Sequence, residues 1–481
     1  MYIYDHTCLI LYCFLCTKPE PCSERSSHVQ YYYSNKSAMD DVDDGICSSS
    51  SYSEEDCPVC RRAVLMDASD ISESEMETLR GDTIGDTTYS AKWTINVLIS
   101  LSNVCETGWT DTLESELCLL WDMTTEKDVT IFLEKCDFLK IVEVSFNVSS
   151  EPRLTEILMG ILGNMCCQSN LIQTVAERQE LVSLLFNLLS TDDPETLIQL
   201  LRLLRVAVWD IQLQERRDVI SPWLEYFKNY EVLGSSLVFI LNSSTNDDLL
   251  TAAIDLIQAI STTDLSDEDL LESLMGVDEL LPALIESFKQ LIPKQDGNHT
   301  RSELKVIENW LTILDNLLED NYLILGEEQY SNHFVGVLDI LLRILQPYVK
   351  SHNLLPLDEL SAVCIRDCVK LILSFQQHKL PVGPEFIFII VTILFYLKSG
   401  NQSPDSETDS DKSENNEREL SVYLEKYWFK ILAMSEVEHL QDVLQMCEDS
   451  IVKYIMDTTI SHPRTSTDTM EKLIIASESL N

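Results

Sequence analysis

Turn formers are scarce in this chain. Its 481 residues include 13 glycines and 14 prolines. An all-β architecture needs frequent turns, and collagen-like or linker-rich chains need far more of both residues, so these classes are excluded. Basic residues are also few: 34 Lys and Arg stand against 80 Asp and Glu, a formal net charge of −46. Such a chain repels phosphate backbones. No basic patch is larger than Arg202/Arg205 or Arg216/Arg217, too small to reverse that, so no direct nucleic-acid binding is expected. The excess acid reads first as solubility of a helical surface and second as attraction to a basic partner segment.

No apolar run reaches bilayer length. CLILYCFLC (8–16) has no basic region before it and no A-x-A-like cleavage site after it, so it reads neither as a leader nor as a span. FIFIIVTILFYL (386–397) reads as a buried core helix. An intracellular protein without membrane contact is expected, with the triplets Asn147-Val148-Ser149 and Asn298-His299-Thr300 as chance glycosylation matches. Of 15 cysteines, seven fall in the first 60 residues, and others such as Cys118, Cys166 and Cys364 sit within apolar helical patterns as small hydrophobes. That usage suits a reducing compartment.

Catalytic signatures are missing too. There is no H-E-x-x-H, G-x-S-x-G, P-loop or G-x-G-x-x-G opening a helix. The eight histidines are scattered. Cys57-Pro58-Val59-Cys60 is a C-x-x-C without the βαβ setting of a redox motif or a clear second ligand pair for zinc. The expectation is a non-enzyme with no cofactor and no metal.

What the chain does have is helix periodicity. In PRLTEILMGILGNMCCQ (152–168), Leu154, Ile157, Leu158, Ile161, Leu162 and Met165 recur at helical spacing, and Pro152 suits the first turn. A stripe that wide faces a core. DDPETLIQLLRLLRVAV (192–208), NDDLLTAAIDLIQAI (246–260), SELKVIENWLTILDNLL (302–318) and DELSAVCIRDCVKLILSF (358–375) repeat the scheme, with shorter apolar helices between them. Matching positions are roughly 40 to 60 residues apart, the size of armadillo or HEAT units. One such unit cannot hide its apolar face, but a stack can. The fold expected is all-α: an irregular armadillo/HEAT-like α-solenoid.

The organisation read from composition has four parts. Residues 1–80 form a Cys-, Ser- and acid-rich region that reads as disordered. Residues 81–400 carry the helical repeats, 401–419 an acidic disordered linker, and 420–481 capping helices. Thr124 reads as the cap of a helix over 124–136. Ser51, Ser53, Ser406 and Thr408 each have an acid three residues on, the spacing acid-directed kinases favour, and are candidate phosphorylation sites.

Candidate partner-binding residues are Asn164, Trp209 and Asn316. Asn164 and Asn316 each precede the last stripe residue of their copies, where asparagines of peptide-binding armadillo proteins hold an extended ligand. The tryptophan-x3-asparagine array of nuclear-import adaptors is absent, since Trp310 and Asn316 are six apart.

The segments GDTIGDTTYSAKWTINVLISLSNV (81–104), ESELCLLWDMTTEKDVTIFLEK (114–135), PRLTEILMGILGNMCCQ (152–168) and SSTNDDLL (243–250) resemble the serum amyloid A-like protein 1 family over about 81–260. The resemblance implies an armadillo-type fold, a nuclear location and a role in promoting cell proliferation, with no catalytic residue. The reading is a protein-interaction scaffold. Its alternative is an acidic, chaperone-like adaptor carrying basic protein clients in the cytosol.

Overall fold

The computed structural model describes residues 81–148, 150–265, 269–293, 297–319, 324–400, 410–462 and 467–478. The region 1–80 and the segment 401–409, with Cys57, Cys60, Ser51, Ser53, Ser406 and Thr408, lie outside the described residues. Among the described residues are 23 α-helices and no strand. Contacts divide the chain into two compact units, 1–91 and 92–481. Of the first only 81–91 is described, a turn with an isolated bridge between Thr83 and Ser90.

The helical part opens with α1 (Ala91–Ser102), α2 (Val104–Thr107) and α3 (Asp111–Met123). Helices then come in threes: a short one, a middle one and a longer one. The first group is α4 (Lys127–Lys135), α5 (Phe138–Val148) and α6 (Pro152–Cys166). Next come α7 (Ser169–Ala176), α8 (Gln179–Asn187) and α9 (Pro194–Glu215), then α10 (Pro222–Asn229), α11 (Val232–Ser243) and α12 (Asp247–Ser261). The fourth is α13 (Leu270–Leu274), α14 (Val277–Leu291) and α15 (Arg301–Leu318). In the fifth, two 3₁₀ turns replace the short helix before α16 (Ser331–Leu345), α17 (Ser351–Leu354) and α18 (Glu359–Gln377). α19 (Pro384–Gly400), α20 (Ser410–Met434), α21 (Val437–Met446), α22 (Asp449–Ser461) and α23 (Thr467–Glu478) complete the order.

Two rows result. The long row stacks α3, α6, α9, α12, α15, α18 and α20, each against the next. The companion row runs α5, α8, α11, α14, α16 and α19, with 3₁₀ turns bridging α8 to α11 and α16 to α19. Helix starts in the long row fall at residues 111, 152, 194, 247, 301, 359 and 410. The expected solenoid and its uneven step are therefore what the chain adopts.

Local chemistry sets where the long helices begin. Pro152 and Pro194 open α6 and α9, where a missing N–H costs nothing. The Asp193 carboxylate accepts the Thr196 N–H at 2.9 Å, and Asn246 Oδ1 accepts that of Leu249 at 2.9 Å. Thr300 and Glu303 form a capping box, and Asp358 caps α18 by accepting from Ser361 N.

Packing then closes the core. In α6 every side chain of the Leu154–Met165 stripe is buried, each worth about 1.5–3 kcal/mol relative to exposure. Burial goes all the way round: residues Glu156 to Cys166 are all shielded, because α3 and α9 flank α6 on both sides. Gly160 permits this. The Trp121 indole of α3 lies where a Gly160 side chain would be.

The fully buried tryptophans all have their N–H satisfied. Trp223 donates to Ile172 O at 3.1 Å, Trp310 to Leu284 O at 3.0 Å and Trp428 to Thr459 Oγ1 at 3.2 Å. The apolar run 386–397 lies within α19, where Phe386, Ile387, Ile390, Ile393, Leu394 and Leu397 are buried. Among the described residues no helix is long and apolar enough to cross a membrane.

Three sequence expectations change. Thr124 does not cap α4. It closes α3 from behind, its N–H reaching Leu120 O, and Glu126 stands at the N-cap of α4. The linker expected over 401–419 is shorter, because α20 begins at Ser410. The buried Glu417 accounts for that: its carboxylate accepts from Leu357 N at 3.4 Å and from Ser413 Oγ at 3.2 Å, so tertiary contact fixes a helix that composition alone disfavours. Cys166 and Cys364 are buried as expected, whereas Cys118 is half-buried beside Arg153 Nη2 at 3.4 Å.

Two glycines three residues apart give a clean comparison. Gly160→Ala is expected to destabilise the protein by about 1–3 kcal/mol, since the added methyl displaces the Trp121 ring. Gly163→Ala meets open space and should be neutral or stabilising by up to about 1 kcal/mol. Urea unfolding followed by far-UV circular dichroism checks both.

Candidate functional site

The surface best placed for recognition is the strip of each long helix left between its two neighbours. On α9 this strip holds Ile198, Gln199, Arg202, Arg205, Trp209 and Gln212, all half-buried and recurring at helical spacing. Its opposite face is apolar and packed, so the strip follows from the same periodicity that predicts the core.

Polar side chains on these strips tie one helix to the next. Arg153 of α6 bonds Glu114 of α3 at 3.0 Å and Glu156 at 2.6 Å. Burial alone would lower the pKa of the Arg153 guanidinium, but these two carboxylates outweigh it and hold it above its ordinary value. Arg202 Nη2 donates to Asn164 Oδ1 at 3.0 Å. Arg205 pairs with Asp255 of α12, and Asn309 of α15 donates to the same carboxylate at 2.7 Å. Burial raises the Asp255 pKa, while Arg205 and Asn309 pull it the other way. Three consecutive helices thus meet on one carboxylate.

The three residues singled out from sequence sit on this row but play different parts. Asn164 is 4% exposed, and its Nδ2 donates to Thr124 Oγ1 at 2.9 Å and Trp121 O at 3.3 Å. Asn316 Nδ2 donates to Ser261 O at 2.8 Å, at the end of α12. Both amides therefore serve the C-terminal turn of the preceding long helix, where helix carbonyls lack intrahelical partners. Trp209 is half-buried, and the Arg205 guanidinium lies over its ring, 5.0 Å from the centroid. A cation over an indole face adds about 0.5–1 kcal/mol at an exposed site.

Sequence reasoning missed Arg205, Asp255 and Gln199. Arg205 Nε and Gln199 Oε1 are buried polar atoms without a hydrogen-bond partner among the described residues, both on α9. A one-turn spacing from Arg205 to Trp209 was the available signal. Asp255 had none, because its partners lie 50 and 54 residues away.

The N-terminal ends of α6, α9 and α12 gather acids. Burial raises the pKa of the Glu195 carboxyl, and neighbouring Glu156, Asp193 and Asp248 raise it further against Arg153. Among the described residues no group of three His, Cys, Asp or Glu is placed to hold a metal ion.

No family model matches the chain. Protein saal1 of Danio rerio is 35% identical over 242 residues, covering 46% of this chain and 50% of that protein. Protein SAAL1 of Homo sapiens is 33% identical over 184 residues, covering 35% and 38%, and protein saal1 of Xenopus tropicalis is 32% identical over 213 residues, covering 42% and 44%. The matched stretches thus span half or less of these curated relatives. An engineered protein of known crystal structure aligns with a TM-score of 0.35 and 14% identity, covering 80% of this chain and 99% of that one.

The Asp255 junction makes a pH prediction. Its folded pKa lies above the unfolded value of 3.8, so the folded state binds the proton more tightly. That contribution to stability is full below 3.8 and lost as pH rises through the folded value. Asp255→Asn lacks this loss, so its melting temperature relative to wild type should rise as pH goes from acid to neutral. A difference that stays flat, or falls, in pH-resolved thermal melts contradicts the assignment.

Proposed function

We propose, from the premise that the chain belongs to the serum amyloid A-like 1 family, that it is a non-enzymatic protein-interaction scaffold whose partners dock along the long row. The supporting observation is the α9 strip. There Trp209 is half-open under Arg205. Tryptophan and arginine are the side chains that most often dominate binding energy at protein interfaces. In this reading Asn164 and Asn316 shape the face, and Trp209 and Arg205 meet the partner. The nuclear location and the promotion of cell proliferation implied by the family resemblance belong to the same proposal.

The acids around Glu195 favour a second reading, an adaptor for basic protein clients. The two separate by salt. Capture through charge alone weakens steeply as the Debye length shrinks, whereas capture through a buried indole survives.

Proximity labelling in cells with the full chain, comparing wild type and Trp209→Glu, tests the scaffold reading. The variant should lose a discrete set of neighbours, with affinity for an identified partner falling roughly 30-fold or more, the scale of a hot-spot tryptophan. Its helicity by circular dichroism should not change. An unaltered neighbour set excludes the α9 strip as the docking face. For the adaptor reading, binding of polylysine to the full chain should be strong in low salt and lost at high salt, and Asp193→Asn/Asp248→Asn should weaken it.

A further inference from the structure

Side-chain ties cross the earlier joints of the long row at mid-strip, as at Arg205–Asp255 and Asn309–Asp255, and Lys370 likewise pairs with Asp315 between α15 and α18. The joint between α18 and α20 differs. Its ends are held, by Leu357 N–H on Glu417 Oε1 at 3.4 Å and by Tyr427 O–H on Gln376 Oε1 at 3.1 Å. Between those ties a cleft of about 330 Å³ stays open. Ala362 and Val363 of α18 and Leu420, Val422 and Tyr423 of α20 form its floor. Val422 is 44% exposed, and Ala362 leaves room for close approach.

The rim has a charge order. Glu359 and Glu419 stand at one end, Arg366 and Lys426 at the other. On each wall the base follows the acid by two helical turns, from 359 to 366 and from 419 to 426, about 10 Å along the axis. Arg366 also touches Asp367 of its own helix, Nε to Oδ1, at 3.3 Å. An apolar floor with an acidic gate and a basic gate two turns apart matches one face of another helix.

We propose that the α18–α20 cleft docks a short amphipathic helix of a partner protein, running antiparallel to both walls. The partner's acid, near its N-terminus, meets Arg366 and Lys426. Its base, two turns later, meets Glu359 and Glu419, and small apolar side chains between them cover Ala362, Val363 and Val422. That charge order also suits the partner helix's own dipole. The site is separate from the Trp209 strip and does not rest on it.

The test uses the full chain and two fluorescein-labelled helical peptides with an Ala/Leu stripe. One carries Glu two turns before Lys, and the other has Gln at both positions. By fluorescence anisotropy the first should bind roughly ten-fold tighter, because the second can form no ion pair with either gate in either direction. Arg366→Glu/Lys426→Glu should erase that preference, and Ala362→Trp should abolish binding of both peptides. Trp209→Ala should leave both affinities unchanged. Should the double variant lose native circular dichroism, Lys426→Glu alone carries the comparison, with a smaller loss of preference. Failure of the first peptide to bind, equal affinity for the two, or a preference that survives charge reversal overturns the proposal.

Discussion

Everything in this molecule depends on each long helix being buried by the two beside it. α6 shows the constraint in its strongest form. It is a helix of 15 residues, a length at which an isolated helix is marginal in water. Its shielding from Glu156 to Cys166 comes entirely from neighbours, with Trp121 laid against Gly160 on one flank and α9 on the other. Stability in such a stack is close to a sum of neighbouring interfaces, so damage at one joint is felt most by the helices on either side of it.

That burial decides where charge can go. A helix packed on both flanks exposes only a narrow strip, and polar contacts between repeats must run along it. The chain has few cations, and Arg153, Arg202, Arg205 and Lys370 are all used on these strips to join one long helix to another. The strips are therefore mixed in sign even though the chain as a whole is strongly acidic. Acids gather at the N-termini of α6, α9 and α12, where they complement the dipole; burial first, and then the neighbouring acids, raise the Glu195 pKa there.

Much of this was legible in the sequence. The stripe from Leu154 to Met165 announces α6, Pro152 and Pro194 mark helix starts, and the recurrence of such stripes gives the solenoid. These are local signals, carried by residues within a few turns of each other. What stayed hidden depends on residues far apart in sequence. The stripe does not reveal that α6 is enclosed all round, because that takes Trp121 meeting Gly160. Glu417 looks like one more acid in an acidic linker until Leu357 is placed against it. Asn164 and Asn316 were correctly seen as equivalent positions, but equivalence did not say that each would spend its amide on the end of the preceding long helix.

That use of the asparagines shapes the kind of recognition open to the row. Asn164 spends both ends of its amide within the row, on Thr124 Oγ1 and Arg202, and Asn316 Nδ2 is bonded to Ser261 O, so in the proposed scaffold other side chains carry most of the reading. Trp209 under Arg205 offers an aromatic face with a charge above it. Further along, the α18–α20 joint offers an apolar floor between gates of opposite sign. The two surfaces differ because of how their joints are closed. Where a carboxylate such as Asp255 draws three helices together, the strip is filled and presents point contacts. Where the ties retreat to the ends, as at Glu417 and Tyr427, the strip opens into a groove. The uneven repeat step, a departure from ideal armadillo geometry, gives one row surfaces of two kinds.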